Sequence, residues 1–388
     1  MGAAALWALL GVLGLWVSVL ILGPNRMFRG TLVERAHAVV TETLPALARR
    51  SLAQCGLGAA VAARVDGVLT ALFGRRNPLL QIVAVGLYWA GLSIFLLQAA
   101  PHIPNRHVGA WHWVPICATL ATNIVCYVAA SAADPGVVGP DNAEAACRTF
   151  PYDRLLFFER TCATCRLPKP ARSKHCPACQ RCVQMAEHHC VWINNCVGLY
   201  NTRWFLGFLT TLGVICVYGA FLVATVVLEQ RHLRGLAGPL LVWDAGAGRH
   251  VALTVWSSLL VTLGDCRALG MLLVLLAVLA PAIVVFAAYQ LRIATLGYTG
   301  NEEGKWLNVA AAIRDGVVFA VREPGGAEAI CVIEEEDQAA DPRPRRPITH
   351  LRQVPNAYDR GPWGNLRLVL FPPRPAPSPQ PEPKPHAA

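Results

Sequence analysis

Charge is what this chain does without. No Asp, Glu, Lys or Arg occurs in Met1–Asn25, Leu79–Pro101, Val108–Ala133, Trp204–Leu228 or Ala268–Leu291. A helix of about 20 apolar residues crosses the hydrocarbon core of a bilayer, so these five gaps predict five transmembrane helices and exclude an ordinary soluble domain. The composition agrees, with 15% charged residues, 54% hydrophobic residues and a mean hydropathy of +0.41. Positive charge is also missing ahead of the first gap, where a cleaved secretory signal requires it, and this predicts a retained anchor. There is no stacked-aromatic or recognition-helix pattern. The net charge of +10 therefore does not read as nucleic-acid binding, and the basic residues instead flank spans, where they meet anionic headgroups. No internal repeat stands out.

The arginines that are present set an orientation. Arg26, Arg29, Arg35, Arg49, Arg50, Arg64, Arg75 and Arg76 follow the first gap, and Arg160, Arg166, Lys169, Arg172, Lys174 and Arg181 crowd a later segment. Both regions belong on the cytosolic side. The expected organisation has a first helix over 1–25 and a cytosolic or interfacial segment over 26–78. Helices two and three occupy 79–133, a cytosolic cysteine-rich domain 134–203 and a fourth helix 204–228. A lumenal loop over 229–267 precedes a fifth helix over 268–291, kinked or divided at Pro281, and a cytosolic region over 292–371. Within the lumenal loop Val251–Leu263 is too short to span and reads as interfacial. In the last region Glu334–Asp337 and Arg343–Arg346 read as a solvated loop. Residues 372–388 are proline-rich and read as disordered.

Seven of the 14 cysteines and three of the 11 histidines lie between Cys162 and Cys196. A tetrahedral zinc site takes four Cys or His ligands, commonly delivered by C-x-x-C knuckles. Cys162 with Cys165 makes one knuckle and Cys176 with Cys179 a second; Cys182, Cys196, His175 and His189 are available to close both sites. Cys190 is left over, with His188 two residues before it, an arrangement suited to an activated nucleophile. Reduced cytosolic cysteines suit zinc and argue against disulfides.

The ordered run from Cys162 to Phe205 resembles the cysteine-rich domain of the DHHC-type protein S-acyltransferases, the integral membrane palmitoyltransferases. It includes Lys169–Cys176 (KPARSKHC), His188-His189-Cys190, Asn195-Cys196 and Asn201. Asp134-Pro135-Gly136 and Tyr358–Leu366 (YDRGPWGNL), with Asn365, resemble its flanking motifs. The resemblance implies a mainly α, polytopic membrane protein whose cytosolic zinc domain is made of short β-hairpins. It implies one zinc on Cys162, Cys165, His175 and Cys182 and a second on Cys176, Cys179, His189 and Cys196. It also implies a catalytic group of Cys190 as acylated nucleophile, His188 as base and Glu187 orienting the base, with acyl-CoA as co-substrate.

Expected partners are the bilayer and membrane-associated proteins with cytosolic cysteines, and the expected location is the endoplasmic reticulum or Golgi. Two positions depart from the pattern. Glu187 stands where the family usually has Asp, and Gly300 replaces the second threonine of T-T-x-E in Thr299–Glu302. These departures predict slower turnover, and they motivate the alternatives of a catalytically impaired zinc-stabilised membrane scaffold or a membrane-anchored zinc ribbon that recruits proteins. Glu302 and Asn365 read as helix-capping or tail-tying residues. Arg172, Lys174 and Arg203 are candidates for the phosphates of acyl-CoA.

Overall fold

The computed structural model describes residues 75–235, 254–322, 328–333 and 343–373 throughout, 28–51 and 241–252 in part, and scattered positions elsewhere. In chain order the elements are α1 (Leu32–Ala38), α2 (Leu79–Ile94), α3 (Trp113–Ala132), β1 (Val137–Val138), α4 (Ala143–Cys147), β2 (Lys174–Cys176), β3 (Arg181–Val183), β4 (His188–Cys190), β5 (Asn195–Val197), α5 (Thr202–Leu233), β6 (Leu241–Asp244), β7 (Arg249–Ala252), α6 (Val255–Asp265), α7 (Arg267–Thr295), α8 (Gly300–Arg314), β8 (Val318–Arg322), β9 (Glu328–Val332), β10 (Arg345–Pro347) and α9 (Gly361–Leu370).

Four helices among the described residues are long and apolar enough to cross a membrane: Leu79–His102, Ala110–Ala132, Thr202–Leu233 and Arg267–Thr295. The protein is thus a multi-pass integral membrane protein, mainly α. The first of the five expected spans, residues 1–25, lies mostly outside the described residues, as does the proline-rich tail beyond Pro373. Two expectations need correction. The span is not divided at Pro281: α7 runs on through it as one helix of 29 residues, because proline removes a single N–H donor, to the carbonyl of Ala277, and the flanking turns remain. Arg345 and Arg346 are not in a solvated loop. They lie in β10, paired with β8, with the Arg345 guanidinium 5.1 Å from the centre of the Phe319 ring.

The chain divides into two compact units. The first contains residues 78–128 and 205–289, the apolar parts of the long helices. Its core joins Phe95, Ile116, Leu222, Val226, Leu269 and Leu272. In lipid, helices associate through close packing at small residues and interhelical hydrogen bonds. Both occur here: a Cβ added at Gly207 would meet Cys126 Sγ at 2.7 Å, and Asn123 Nδ2 donates to Thr211 Oγ1 at 2.9 Å. α6, with 11 residues, is too short to span.

The second unit holds residues 70–77, 129–204 and 290–388. Its strands form a β1-β3-β2 sheet, the β4-β5 hairpin and a β10-β8-β9 sheet. α8 begins on a capping box, with Thr299 Oγ1 accepting the Glu302 N–H and the Glu302 carboxylate accepting the Thr299 N–H. The T-x-x-E stretch is therefore in part a helix start signal.

Candidate active site

Strands of three residues cannot stand alone in water, so something must hold the β2-β3 and β4-β5 hairpins. In β2-β3, His175 lies directly opposite Cys182; in β4-β5, His189 lies directly opposite Cys196. A histidine on one strand and a cysteine across from it supply two donors from one face, and the knuckles supply the other two. The ligand atoms of Cys162, Cys165, His175 and Cys182 lie within 4.8 Å of one another, as do those of Cys176, Cys179, His189 and Cys196. Two Cys₃His sets are the chemistry of structural zinc, and both hairpins depend on them. No disulfide joins any described cysteine.

A regularity that the sequence reading missed explains the interleaving. Every donor of the first set recurs 14 positions later in the second: Cys162 and Cys176, Cys165 and Cys179, His175 and His189, Cys182 and Cys196. The two sites are one hairpin motif used twice, and the ligand spacing itself carried the signal. On the same interval Cys176 maps onto Cys190. Cys176 opens the second knuckle, and the Cys179 N–H donates to its Sγ at 3.4 Å. Cys190 opens a third such turn, in which Ile193 stands where the partner cysteine would be, and the N–H groups of Ile193 and Trp192 donate to its sulfur. The seventh cysteine thus keeps the turn of a zinc knuckle and lies outside both donor sets. It is 7% exposed. Burial pushes its thiol up to about 11, and the two N–H donors oppose that shift.

His188 and Cys190 are both on β4, opposite Val197 and Asn195. Burial, with the neighbouring His189 adding to it, holds the His188 imidazole down at about 4. Glu187 precedes the strand and is fixed at its carboxylate: the Gly300 N–H donates to Oε2 at 2.7 Å, and Gln290 Nε2 donates to Oε1 at 3.4 Å. Burial raises its carboxyl to about 7 despite those donors. Gln290 and the Gly300 N–H escaped the sequence reading, since neither type at that spacing announces a role.

The β4-β5 hairpin is tied to the end of α3. Asn195 Nδ2 donates to the carbonyls of Ala130, Ser131 and Ala133 at 3.2, 3.2 and 2.9 Å. Asn201 Nδ2 donates to Cys196 O at 2.8 Å and Ala130 O at 3.3 Å. Helix C-termini leave carbonyls without intrahelical donors, and these two amides supply them.

Arg172 is not a phosphate ligand. It is 1% exposed and gripped by Glu302 through Nε–Oε1 at 2.7 Å and Nη2–Oε2 at 2.6 Å. Its guanidinium lies 5.1 Å from the ring centre of Phe150 and 4.9 Å from that of Tyr358. Lys174 is exposed. Arg203 lines a cleft of about 620 Å³ together with Asp134, Gln184, Tyr200, Trp204 and Phe371. Asn365 Nδ2 donates to Thr295 O at 2.9 Å and to Asp359 at 2.6 Å. Gly297 faces it at φ +75°, where an added Cβ would meet the amide at 2.8 Å. Glu302 and Asn365 thus cap and tie.

A family model described as DHHC palmitoyltransferase matches residues 156–307. The chain is 27% identical to palmitoyltransferase swf1 of Schizosaccharomyces pombe over 367 residues, covering 95% of this chain and 96% of that protein. It is 30% identical to palmitoyltransferase SWF1 of Yarrowia lipolytica over 305 residues, covering 72% and 75%. It is 34% identical to palmitoyltransferase ZDHHC4 of Mus musculus over 184 residues, covering 43% and 51%.

Proposed function

Given that the chain belongs to the DHHC palmitoyltransferase family, we propose that it is a protein S-palmitoyltransferase that relays a fatty acyl group from acyl-CoA through Cys190 to cysteines of membrane-associated proteins. One observation carries the assignment of Cys190: of the seven cysteines between residues 162 and 196, the other six fall into the two donor sets. A thiol kept out of a zinc cluster, in a knuckle-like turn and next to a histidine, has no structural duty there. The scaffold alternative needs neither Cys190 nor His188, and it is not favoured for a chain whose relatives are palmitoyltransferases.

In the first half-reaction His188 accepts the proton of the Cys190 thiol, and the sulfur attacks the thioester carbonyl of acyl-CoA. The carbon–sulfur bond to CoA breaks, and the departing CoA thiolate takes the proton back from His188. In the second, a substrate cysteine gives up its proton to His188 and attacks the Cys190 thioester. The acyl group moves on, and the Cys190 thiol is restored. Glu187 acts in both steps as the positioning carboxylate beside His188. Zinc held by Cys162, Cys165, His175 and Cys182, and by Cys176, Cys179, His189 and Cys196, supplies rigidity to the hairpins and no step of the transfer. Arg203, with its cleft, and the exposed Lys174 are the remaining candidates for the CoA phosphates. The active site faces the cytosol of an endoplasmic reticulum or Golgi membrane, as the arginine-rich segments favour.

The test is acylation of the purified full chain by labelled palmitoyl-CoA. A hydroxylamine-sensitive label is expected on the native protein and none on Cys190→Ser with both zinc ions retained. Equal labelling of the two proteins would overturn the assignment.

A further inference from the structure

The two departures from the family pattern touch each other. The Glu187 carboxylate ends on the backbone N–H of Gly300 at 2.7 Å, and Gly300 is the first residue of α8, after the N-cap Thr299. The first N–H groups of a helix have no intrahelical acceptor, and the helix dipole favours an anion beside them. On the other side, Gln290, 4% exposed, holds Oε1 at 3.4 Å. The carboxylate is thereby clamped between the end of α7 and the start of α8, three positions before Cys190. A glutamate reaches about one carbon–carbon bond, ~1.5 Å, further than an aspartate. A glycine offers its N–H with no side chain beside it.

We infer that Glu187 and Gly300 are a matched pair in which the Gly300 N–H is a positioning group for the transfer reaction, setting the carboxylate that in turn sets His188. This rests on the catalytic reading above. The long acid and the missing side chain compensate each other, so neither records a loss of activity, and restoring the aspartate alone damages the site.

Gly300→Pro removes the donor and sets its ring Cδ against the Glu187 carboxylate that the N–H now holds. Proline is well tolerated at the first helical position, and Thr299, at φ −100° and ψ 163°, already has the extended backbone that a following proline requires. The variant loses the N–H and keeps α8. The full-length native protein, Gly300→Pro, Glu187→Asp and the double variant Glu187→Asp/Gly300→Thr are compared for zinc content and for Cys190 acylation across a range of palmitoyl-CoA concentrations.

At saturating palmitoyl-CoA, Gly300→Pro and Glu187→Asp are expected to acylate at least about tenfold more slowly than the native chain, with the half-saturating concentration and the two zinc ions unchanged. The double variant, whose threonine hydroxyl fills the gap left by the shorter acid, is expected to recover to within about threefold of the native rate. A native rate in Gly300→Pro, or a double variant no faster than Glu187→Asp, overturns the pairing. A native chain that takes no label defeats the catalytic reading instead. The pair is then judged by hydrogen exchange at the Gly300 amide, which is expected to be protected in the native chain and fast in Glu187→Ala. Equal exchange in the two overturns it.

Discussion

At Arg172 the chain places a full positive charge where only 1% of the residue is exposed, at a backbone φ of +61°. The site tolerates this because Glu302 answers with both oxygens, the carbonyl of Gly297 accepts a further bond at 2.9 Å, and two aromatic rings flank the guanidinium. Removing one partner of such a pair leaves an uncompensated buried charge, which costs about 3–5 kcal/mol. Arg172→Met is therefore expected to lower the thermal transition of the detergent-solubilised protein substantially. Arg172→Lys recovers little of it, because an ammonium offers neither the fork nor the flat face. Glu302→Gln is expected to cost about as much, since it leaves the buried guanidinium without its anion and turns an amide NH2 toward one of the Arg172 N–H donors, even though the amide oxygen can still accept the Thr299 N–H. A Glu302→Gln loss much smaller than that of Arg172→Met would show that the neutral framework, and not the charge pair, dominates. The residue types of this lock stood in the sequence, but 130 positions separate Arg172 from Glu302, and no local pattern announces the pairing.

In the zinc hairpins the element is smaller than the information that specifies it. C-x-x-C knuckles and nearby histidines were legible because metal geometry imposes short, fixed spacings, and the four-residue groups that the structure draws together are those the resemblance implied. The duplication behind them, and the knuckle-like turn around Cys190, emerge once β2-β3 and β4-β5 are seen to place His175 opposite Cys182 and His189 opposite Cys196. Arg345 and Arg346 illustrate the opposite case: a basic run reads as a solvated loop from charge alone, and only pairing with β8 makes it a strand. The hairpins yield a counting prediction. Thiolates bound to zinc are shielded from alkylation, whereas metal release exposes them. In the metal-loaded protein, iodoacetamide followed by mass spectrometry is expected to spare the six cysteines of the two donor sets and to modify at most the buried Cys190, and that slowly, among the seven from Cys162 to Cys196. After prolonged chelation all seven are expected to react, with acylation lost in parallel. Modification of two or more cysteines before chelation would remove one of the two donor sets.

Across the whole molecule, contacts within the second unit constrain how often the chain crosses the bilayer. Arg76 Nε donates to Asn194 O at 3.0 Å, so Arg76 lies on the same side of the membrane as the zinc hairpins, and the chain between must cross an even number of times. α2 and α3 supply two crossings. Glu187 bonds Gly300 and Arg172 bonds Glu302, so the chain from α5 to α8 must also cross an even number of times. α5 and α7 supply two, and α6 must not add a third. Hydropathy made the long helices legible, but it left the status of Val251–Leu263 to length alone; the hydrogen bonds supply the independent reason. The arginines of residues 26–76 favour the cytosol for the shared side, which is the orientation proposed above. A glycosylation acceptor, Asn-x-Ser/Thr, engineered into residues 236–240 is expected to be modified when the chain is made with endoplasmic reticulum microsomes, because that segment lies between α5 and α7. The same acceptor placed after Pro373 is expected to stay unmodified, and Cys331 of the intact vesicles is expected to react with a membrane-impermeant maleimide added outside. Modification of the tail acceptor in place of the loop acceptor would reverse the orientation. Modification of both would mean that α6 spans, and the Glu187–Gly300 and Arg172–Glu302 bonds could not then form within one chain.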